Sequence, residues 1–255
     1  MWAPQLEFFA RSRRVLAPDL PGFGGSTASF EADSIDELAR VVLDDCHGLG
    51  AQKAVVAGCS LGGAIALGLQ RLDAAFVSAL ALLNTRTQAD SDRAREKRRA
   101  VIDQLKVATP PPLLAHALRK NPLCAETLRG ALETLLTAKT LEHNAGVVAA
   151  VIEMVESATP AGIIAGQQAL LTRPEVSAQI KGIQVPAAVI HGCEDSLLRV
   201  GDARQTAASF PDARFVPVQH AAHLPNLEQP GAVNAALESL LDRVVLSEQQ
   251  APEAG

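Results

Sequence analysis

The sequence predicts an α/β fold: a mostly parallel sheet with helices on both faces, interrupted by a helical insertion. Two observations carry that prediction. Short β-rich runs alternate with longer helical segments up to residue 84 and again after residue 184, a rhythm that implies parallel pairing through right-handed crossovers. Between them, residues 85–183 have helical composition, as expected of a lid or cap set into the domain. The 255 residues, 48% hydrophobic and 20% charged, suffice for one large domain with a full core and argue against disorder. Residues 1–84 and 184–255 are therefore expected to form the core, and 85–183 the cap.

In chain order, "RRVLAP" (13–18) reads as a buried strand ended by Pro18, followed by the loop "DLPGFGGS" (19–26). Ser34 and Glu37 have the spacing of a capping box that opens a helix. "KAVVAG" (53–58) is the next strand, "LGGAIALGLQRL" (61–72) a helix, and "VSALALLN" (77–84) a third strand. Pro110, Pro111 and Pro112 mark a boundary inside the helical block. Strand signals return in "VPAAVIHG" (185–192) and "ARFVPVQ" (213–219), separated by a helix over 201–209. A last helix over 230–246 precedes "SEQQAPEAG", a polar tail expected to fray.

A net charge of −5 gives no reason to expect a nucleic-acid or anionic-membrane partner. Cys46, Cys59, Cys124 and Cys193 form no C-x-x-C pair, which fits neither a zinc site nor a disulfide framework and suits a reducing cytosol. The opening "MWAPQLEFFARSRRV" lacks the basic-then-apolar order of a signal peptide. The apolar run around Ser60 is broken by Gly58, Gly62 and Gly63, whereas a membrane helix needs ~20 predominantly apolar residues. A cytoplasmic location is expected.

Chemistry concentrates at "VVAGCSLGGAIAL" (55–67). A serine on a sharp strand-to-helix turn stands exposed above the sheet edge, and the crowded backbone there calls for small residues two before and two after. Gly58 and Gly62 occupy those positions around Ser60, giving the G-x-S-x-G pattern of a nucleophile elbow. A serine nucleophile needs a base, a carboxylate orienting that base, and backbone donors for the oxyanion. "VIHGCEDSL" ends one later strand in a loop with Glu194 and Asp195, and "VQHAAHLPNLEQP" ends the next with His220 and His223. Parallel sheets place ligands at such carboxyl ends. The order Ser60, Asp195, His223 matches the serine, acid, histidine order of this elbow.

The chain resembles the α/β-hydrolase superfamily over nearly its whole length, and especially its 3-oxoadipate enol-lactonase and carboxylesterase members. "APDLPGFGGS", "GCSLGG", "GCED" and "HLPNLEQP" carry the resemblance. It implies Ser60 as nucleophile, Asp195 as acid, His223 as base, and the Leu61 N–H as an oxyanion-hole donor. It implies a small-molecule ester or lactone substrate, with no cofactor or metal.

Alternatives remain among the residues. His220 could stand for His223, though in the family pattern the histidine directly precedes the "LPNLEQP" segment, and Glu194 could stand for Asp195. Asn84 ends the third strand, where some relatives carry an alternative acid, but an amide cannot stabilise imidazolium as a carboxylate does. Cys59 reads as a small packing residue. "GFGGST" lacks the third spaced glycine of a dinucleotide fingerprint. His191-Gly192 mimics an oxyanion-loop signature but lies in the acid-bearing strand. The run "RAREKRR" (93–99) reads as a solvated helix face that would favour a carboxylate-bearing substrate if it met the cleft.

The resemblance also implies upstream strands and a His-Gly oxyanion loop, and the chain begins inside the helix that should follow them. The expected sheet therefore lacks the strand between "RRVLAP" and "KAVVAG", and activity of this polypeptide turns on whether Met1 is an internal methionine of a longer enzyme. Loss of one oxyanion donor costs ~3–4 kcal/mol of transition-state stabilisation. No Phe, Trp or Tyr occurs over 77–209, so the cap side of a pocket should be aliphatic and disfavour bulky aryl groups. Rival readings are a cofactor-free perhydrolase or C–C bond hydrolase on the same triad, and a non-catalytic binding protein on this scaffold.

Overall fold

The computed structural model describes residues 1–26, 33–107 and 122–250. Its sheet has four strands in the order β1 (Ala54–Cys59), β2 (Val77–Leu83), β3 (Ala187–Gly192) and β4 (Ala213–Val218). All three pairings are parallel, and the register aligns Cys59 with Leu83, Leu83 with Ile190, and Gly192 with Val218. The carboxyl ends of all four strands thus share one edge of the sheet.

Side chains alternate across the sheet with period two. Leu80 and Leu82 of β2 join one apolar cluster with helices α2 (Ile35–Gly48) and α3 (Leu61–Leu72). Ala79, Ala81 and Leu83 face the opposite cluster, built on Phe9 of α1 (Ala3–Phe9) and on Val233, Leu237 and Leu240 of the C-terminal helix. Leu80, Leu82 and Leu83 are fully buried, each stabilising the fold by about 1.5–3 kcal/mol. Helix α2 opens as its sequence requires: the Ser34 hydroxyl accepts from Glu37 N at 3.3 Å while Glu37 accepts from Ser34 N at 3.1 Å.

The regular elements in the described part of the insertion between β2 and β3 are all helical: α4 (Asp92–Val107), α5 (Pro122–Leu135), α6 (Ala138–His143), α7 (Ala145–Ser157), α8 (Pro160–Leu171) and a 3-10 turn, Gln179–Gly182. The Pro110–Pro112 boundary lies outside the described residues. After β3 come α9 (Val200–Ser209), then β4, a short helix α10 (Pro225–Glu228) and α11 (Pro230–Gln250). Helix α11 runs past the expected end at 246 and takes in the first residues of the polar tail; residues 251–255 lie outside the description.

One expected element is absent. "RRVLAP" is irregular rather than a strand, although Val15 and Leu16 still pack on the two apolar clusters. An extended segment becomes a strand only beside a ladder partner, and β1 pairs with β2 alone among the described residues. Among those residues no single helix is long and apolar enough to cross a membrane; α7 and α8 meet the length and composition only together, bent by 94°.

Candidate active site

Ser60 follows the last residue of β1 and precedes the first of α3, with φ 54° and ψ −112°. A left-handed backbone at a non-glycine residue is strained, and such strain clusters at functional sites. Neighbouring structure holds it: Ser60 N donates to Leu83 O at 2.9 Å, and the Thr85 hydroxyl donates to Ser60 O at 2.8 Å. A Cβ on Gly58 would lie 2.0 Å from Gly62 O, so only glycine fits there. The expectation for Gly62 needs correction, because a Cβ there would meet nothing within 4 Å. The second tight position is Gly63, whose Cβ would come 2.6 Å from Thr85 Cβ. Leu61, the first residue of α3, has an N–H with no carbonyl partner inside its own helix, as an oxyanion donor requires.

Across the same edge, His223 Nδ1 lies 2.9 Å from Asp195 Oδ2, both side chains being buried. The other carboxylate oxygen accepts from Leu197 N at 2.8 Å and Leu198 N at 3.2 Å. Burial alone would push the Asp195 carboxyl up. The hydrogen bond and charge of His223, the amide of Asn84 and the Leu197 N–H together outweigh burial and hold it below its usual value. The His223 backbone is fixed as well, with N donating to Leu135 O at 3.1 Å and the carbonyl accepting from Cys59 Sγ at 3.6 Å. That last contact joins the histidine loop to the residue before Ser60. No hydrogen bond between the Ser60 hydroxyl and His223 forms among the described residues; such bonds often tighten only with substrate bound.

The alternatives separate by position. His220 and Glu194 are exposed and face each other at 3.7 Å, away from the buried pair. Cys59 is buried, and burial aided by the Asp195 charge pushes its thiol up to about 12, which suits packing and not nucleophilic attack. His191 is buried with Nε2 at 3.1 Å from Leu198 O, and burial lowers its pKa. Within the basic run, Arg98 departs from a solvated face: it pairs with Asp90 and donates to Gln167 at 2.8 Å. Asp90, its side chain wholly buried, also binds Arg173 at 2.5 Å, tying α4 to the end of α8.

Two residues not assigned a role from the sequence hold this edge together. Asn84 is wholly buried and donates to Asp195. Glu228 accepts from Ala222 N at 2.6 Å, Thr137 N at 2.8 Å and the Thr140 hydroxyl at 2.7 Å, bridging the histidine loop to the start of α6. Both stand in recognised segments, at the end of β2 and within "HLPNLEQP", but neither carries a local signal of its partners. The loop "PGFG" likewise meets α8 closely: Gly22 O accepts from Thr159 N at 2.8 Å, and a Cβ on Gly22 would lie 2.5 Å from Gly162 Cα.

The chain is similar over most of its length to known hydrolases. The chain is 30% identical to a pimeloyl-[acyl-carrier protein] methyl ester esterase of Aromatoleum aromaticum, over 94% of this chain and 92% of that one. It is 25% identical to 3-oxoadipate enol-lactonase 1 of Acinetobacter baylyi, over 90% of this chain and 79% of the relative. A thermophilic esterase from Thermogutta terrifontis, solved with malate bound, superposes with a TM-score of 0.84 at 27% identity, covering 95% of this chain and 85% of the esterase. With residues 1–236 matching the family pattern as well, the chain belongs to the alpha/beta hydrolase family.

Proposed function

We propose that the protein is a serine hydrolase that cleaves a small carboxylic ester or lactone through an acyl-enzyme. The observation that carries this reading is the buried His223–Asp195 hydrogen bond on the strand edge where Ser60 stands in a left-handed turn. Membership of a hydrolase family supports the reaction class, and two relatives named for an ester and an enol-lactone support the substrate class.

With its Nδ1 proton donated to Asp195, the His223 ring presents an unprotonated Nε2 as base. Nε2 takes the Ser60 proton as Oγ attacks the substrate carbonyl, and the Leu61 N–H donates to the oxyanion that forms. Collapse breaks the C–O bond, and imidazolium returns the proton to the leaving oxygen, which departs as an alcohol or stays tethered if the substrate is a lactone. Water, deprotonated by the same nitrogen, attacks the acyl carbon and regenerates Ser60. Asp195 remains ionised throughout, held so by four hydrogen-bond donors, and stabilises the transient imidazolium. The inserted helices act as a cap, offering an aliphatic wall that selects small substrates.

Fluorophosphonate labelling read by intact mass, with hydrolysis of a panel of p-nitrophenyl esters and enol-lactones, tests the reading. Wild-type protein takes up one label and hydrolyses short-chain members. Ser60→Ala loses the label and at least about 10³-fold in kcat. A label that survives Ser60→Ala, or a folded wild type that neither labels nor hydrolyses, rejects it.

A further inference from the structure

We propose that Asn84 is a positioning residue for the acid–histidine pair, its amide clamping Asp195 and the His223 loop together while moderating the carboxylate's hold on the imidazole. The inference rests on the reading of Asp195 and His223 as catalytic acid and base.

Asn84 directly follows β2, is 0% exposed, and has φ 39°. Its backbone N–H donates to Ile190 O at 3.0 Å, extending the β2–β3 ladder by one residue. The side-chain oxygen accepts from Gly192 N at 3.1 Å. That bond fixes which end of the amide is oxygen, and Nδ2 then donates to Asp195 Oδ2 at 2.6 Å and Ala222 O at 3.1 Å. A flipped amide would set NH₂ against the Gly192 N–H and oxygen against a carboxylate and a carbonyl. One side chain therefore joins the ends of three segments: β2, the acid loop after β3, and the histidine loop after β4. A turn asparagine tolerates a left-handed backbone, but that preference alone does not require the three side-chain bonds.

The carboxylate oxygen that binds His223 Nδ1 is the one that binds Asn84 Nδ2. A donor to that oxygen stabilises the carboxylate charge and leaves less of it to stabilise imidazolium. Removing the donor loosens the carboxylate's geometry yet strengthens its pull on the proton of His223. Cys59 on β1 and His191 on β3 feel the charge of Asp195, Asp202 on α9 acts on His191, and Glu228 on α10 holds the Ala222 N–H beside the histidine; the substitutions leave all of them in place.

The test uses the full chain labelled with ¹⁵N-histidine, as wild type, Asn84→Gly, Asn84→Ala and Asn84→Asp. Glycine relieves the left-handed backbone, so loss of the amide is not confounded by strain, and the isosteric aspartate keeps the volume if the smaller side chains fail to fold. The readouts are the titration midpoint of the His223 ring by long-range ¹H–¹⁵N NMR and the acid limb of kcat/KM. The midpoint should rise by about half to one pH unit in the glycine and alanine variants, and by less in the aspartate variant, whose buried carboxyl shares one proton with Asp195 and so still supplies a donor. The acid limb should move with it, and kcat should fall on the order of 10–100-fold. A midpoint unchanged or lowered in the folded variants overturns the inference, even if kcat or Tm drops. A raised midpoint in a protein whose Ser60 never labels sustains the positioning role and rejects the hydrolase reading, so the two failures are distinct.

Discussion

Replacing Glu228 with glutamine should cost the fold more than its chemistry suggests. The carboxylate is buried, with one oxygen on the Ala222 N–H at 2.6 Å and the other shared by the Thr137 N–H at 2.8 Å and the Thr140 hydroxyl at 2.7 Å. Glutamine keeps the volume but turns one oxygen into NH₂. Whichever way the amide settles, it faces a backbone N–H and leaves that donor without an acceptor. An orphaned buried donor costs about 1–3 kcal/mol, and loss of the charge weakens the surviving bonds, so about 2–3 kcal/mol is expected in total. In a chain of this size that lowers Tm by roughly 5–10 °C. Calorimetric melts of wild type and Glu228→Gln at neutral pH read the shift directly. Because Ala222 precedes His223, kcat should fall while KM changes little. A Tm within about 1 °C of wild type would refute the reasoning, since the buried bridge would then carry no net stability.

The elbow glycines should behave unequally. Gly58→Ala drives a Cβ to 2.0 Å from backbone and should destabilise the protein by about 3 kcal/mol or more, or prevent folding. Gly62→Ala has open space and should leave stability unchanged or raise it by up to about 1 kcal/mol; urea unfolding of both variants checks the contrast, and equal losses would contradict it. Asp195 has a folded-state carboxyl held below its ordinary value of 3.8. Its ionised form therefore contributes stability that is fully present above that value and is lost as pH falls through the folded-state value. Unfolding free energies measured from pH 6 down to pH 2 should fall less steeply in Asp195→Asn than in wild type below pH ~4, and a steeper fall would reverse the sign.

Much of this protein is legible in its amino-acid order. Periodicity locates β1 to β4 and the helices between them because each buries a continuous apolar face, a property written locally in the chain. Ser34 and Glu37 announce the start of α2 for the same reason: their partners lie within four residues. "RRVLAP" misleads because local composition specifies an extended backbone but not a neighbour for it. The motif at 58–62 points to Ser60, yet its spacing cannot reveal that Gly63, not Gly62, is the second crowded glycine; that depends on Thr85 arriving from β2. Arg98 looks solvated within a basic run because Asp90 and Gln167 are recognisable as its acceptors only in the folded chain, where Arg173 meets the same carboxylate.

The sequence by itself determined the runs that become the four strands, the glycine-flanked serine turn and the loops that carry the acid and histidine candidates, since each follows from short-range pattern. Only the tertiary structure decided between Asp195 and Glu194 as the partner of the histidine, and between His223 and His220. Burial and hydrogen bonding make that choice: Asp195 and His223 bond each other in the interior, with Asn84 donating to Asp195 and Cys59 to the His223 carbonyl, while Glu194 and His220 pair at the surface. Contacts such as Asn84 to Asp195, 111 residues apart, come from strand register. Register is a property of the paired sheet and not of any one strand.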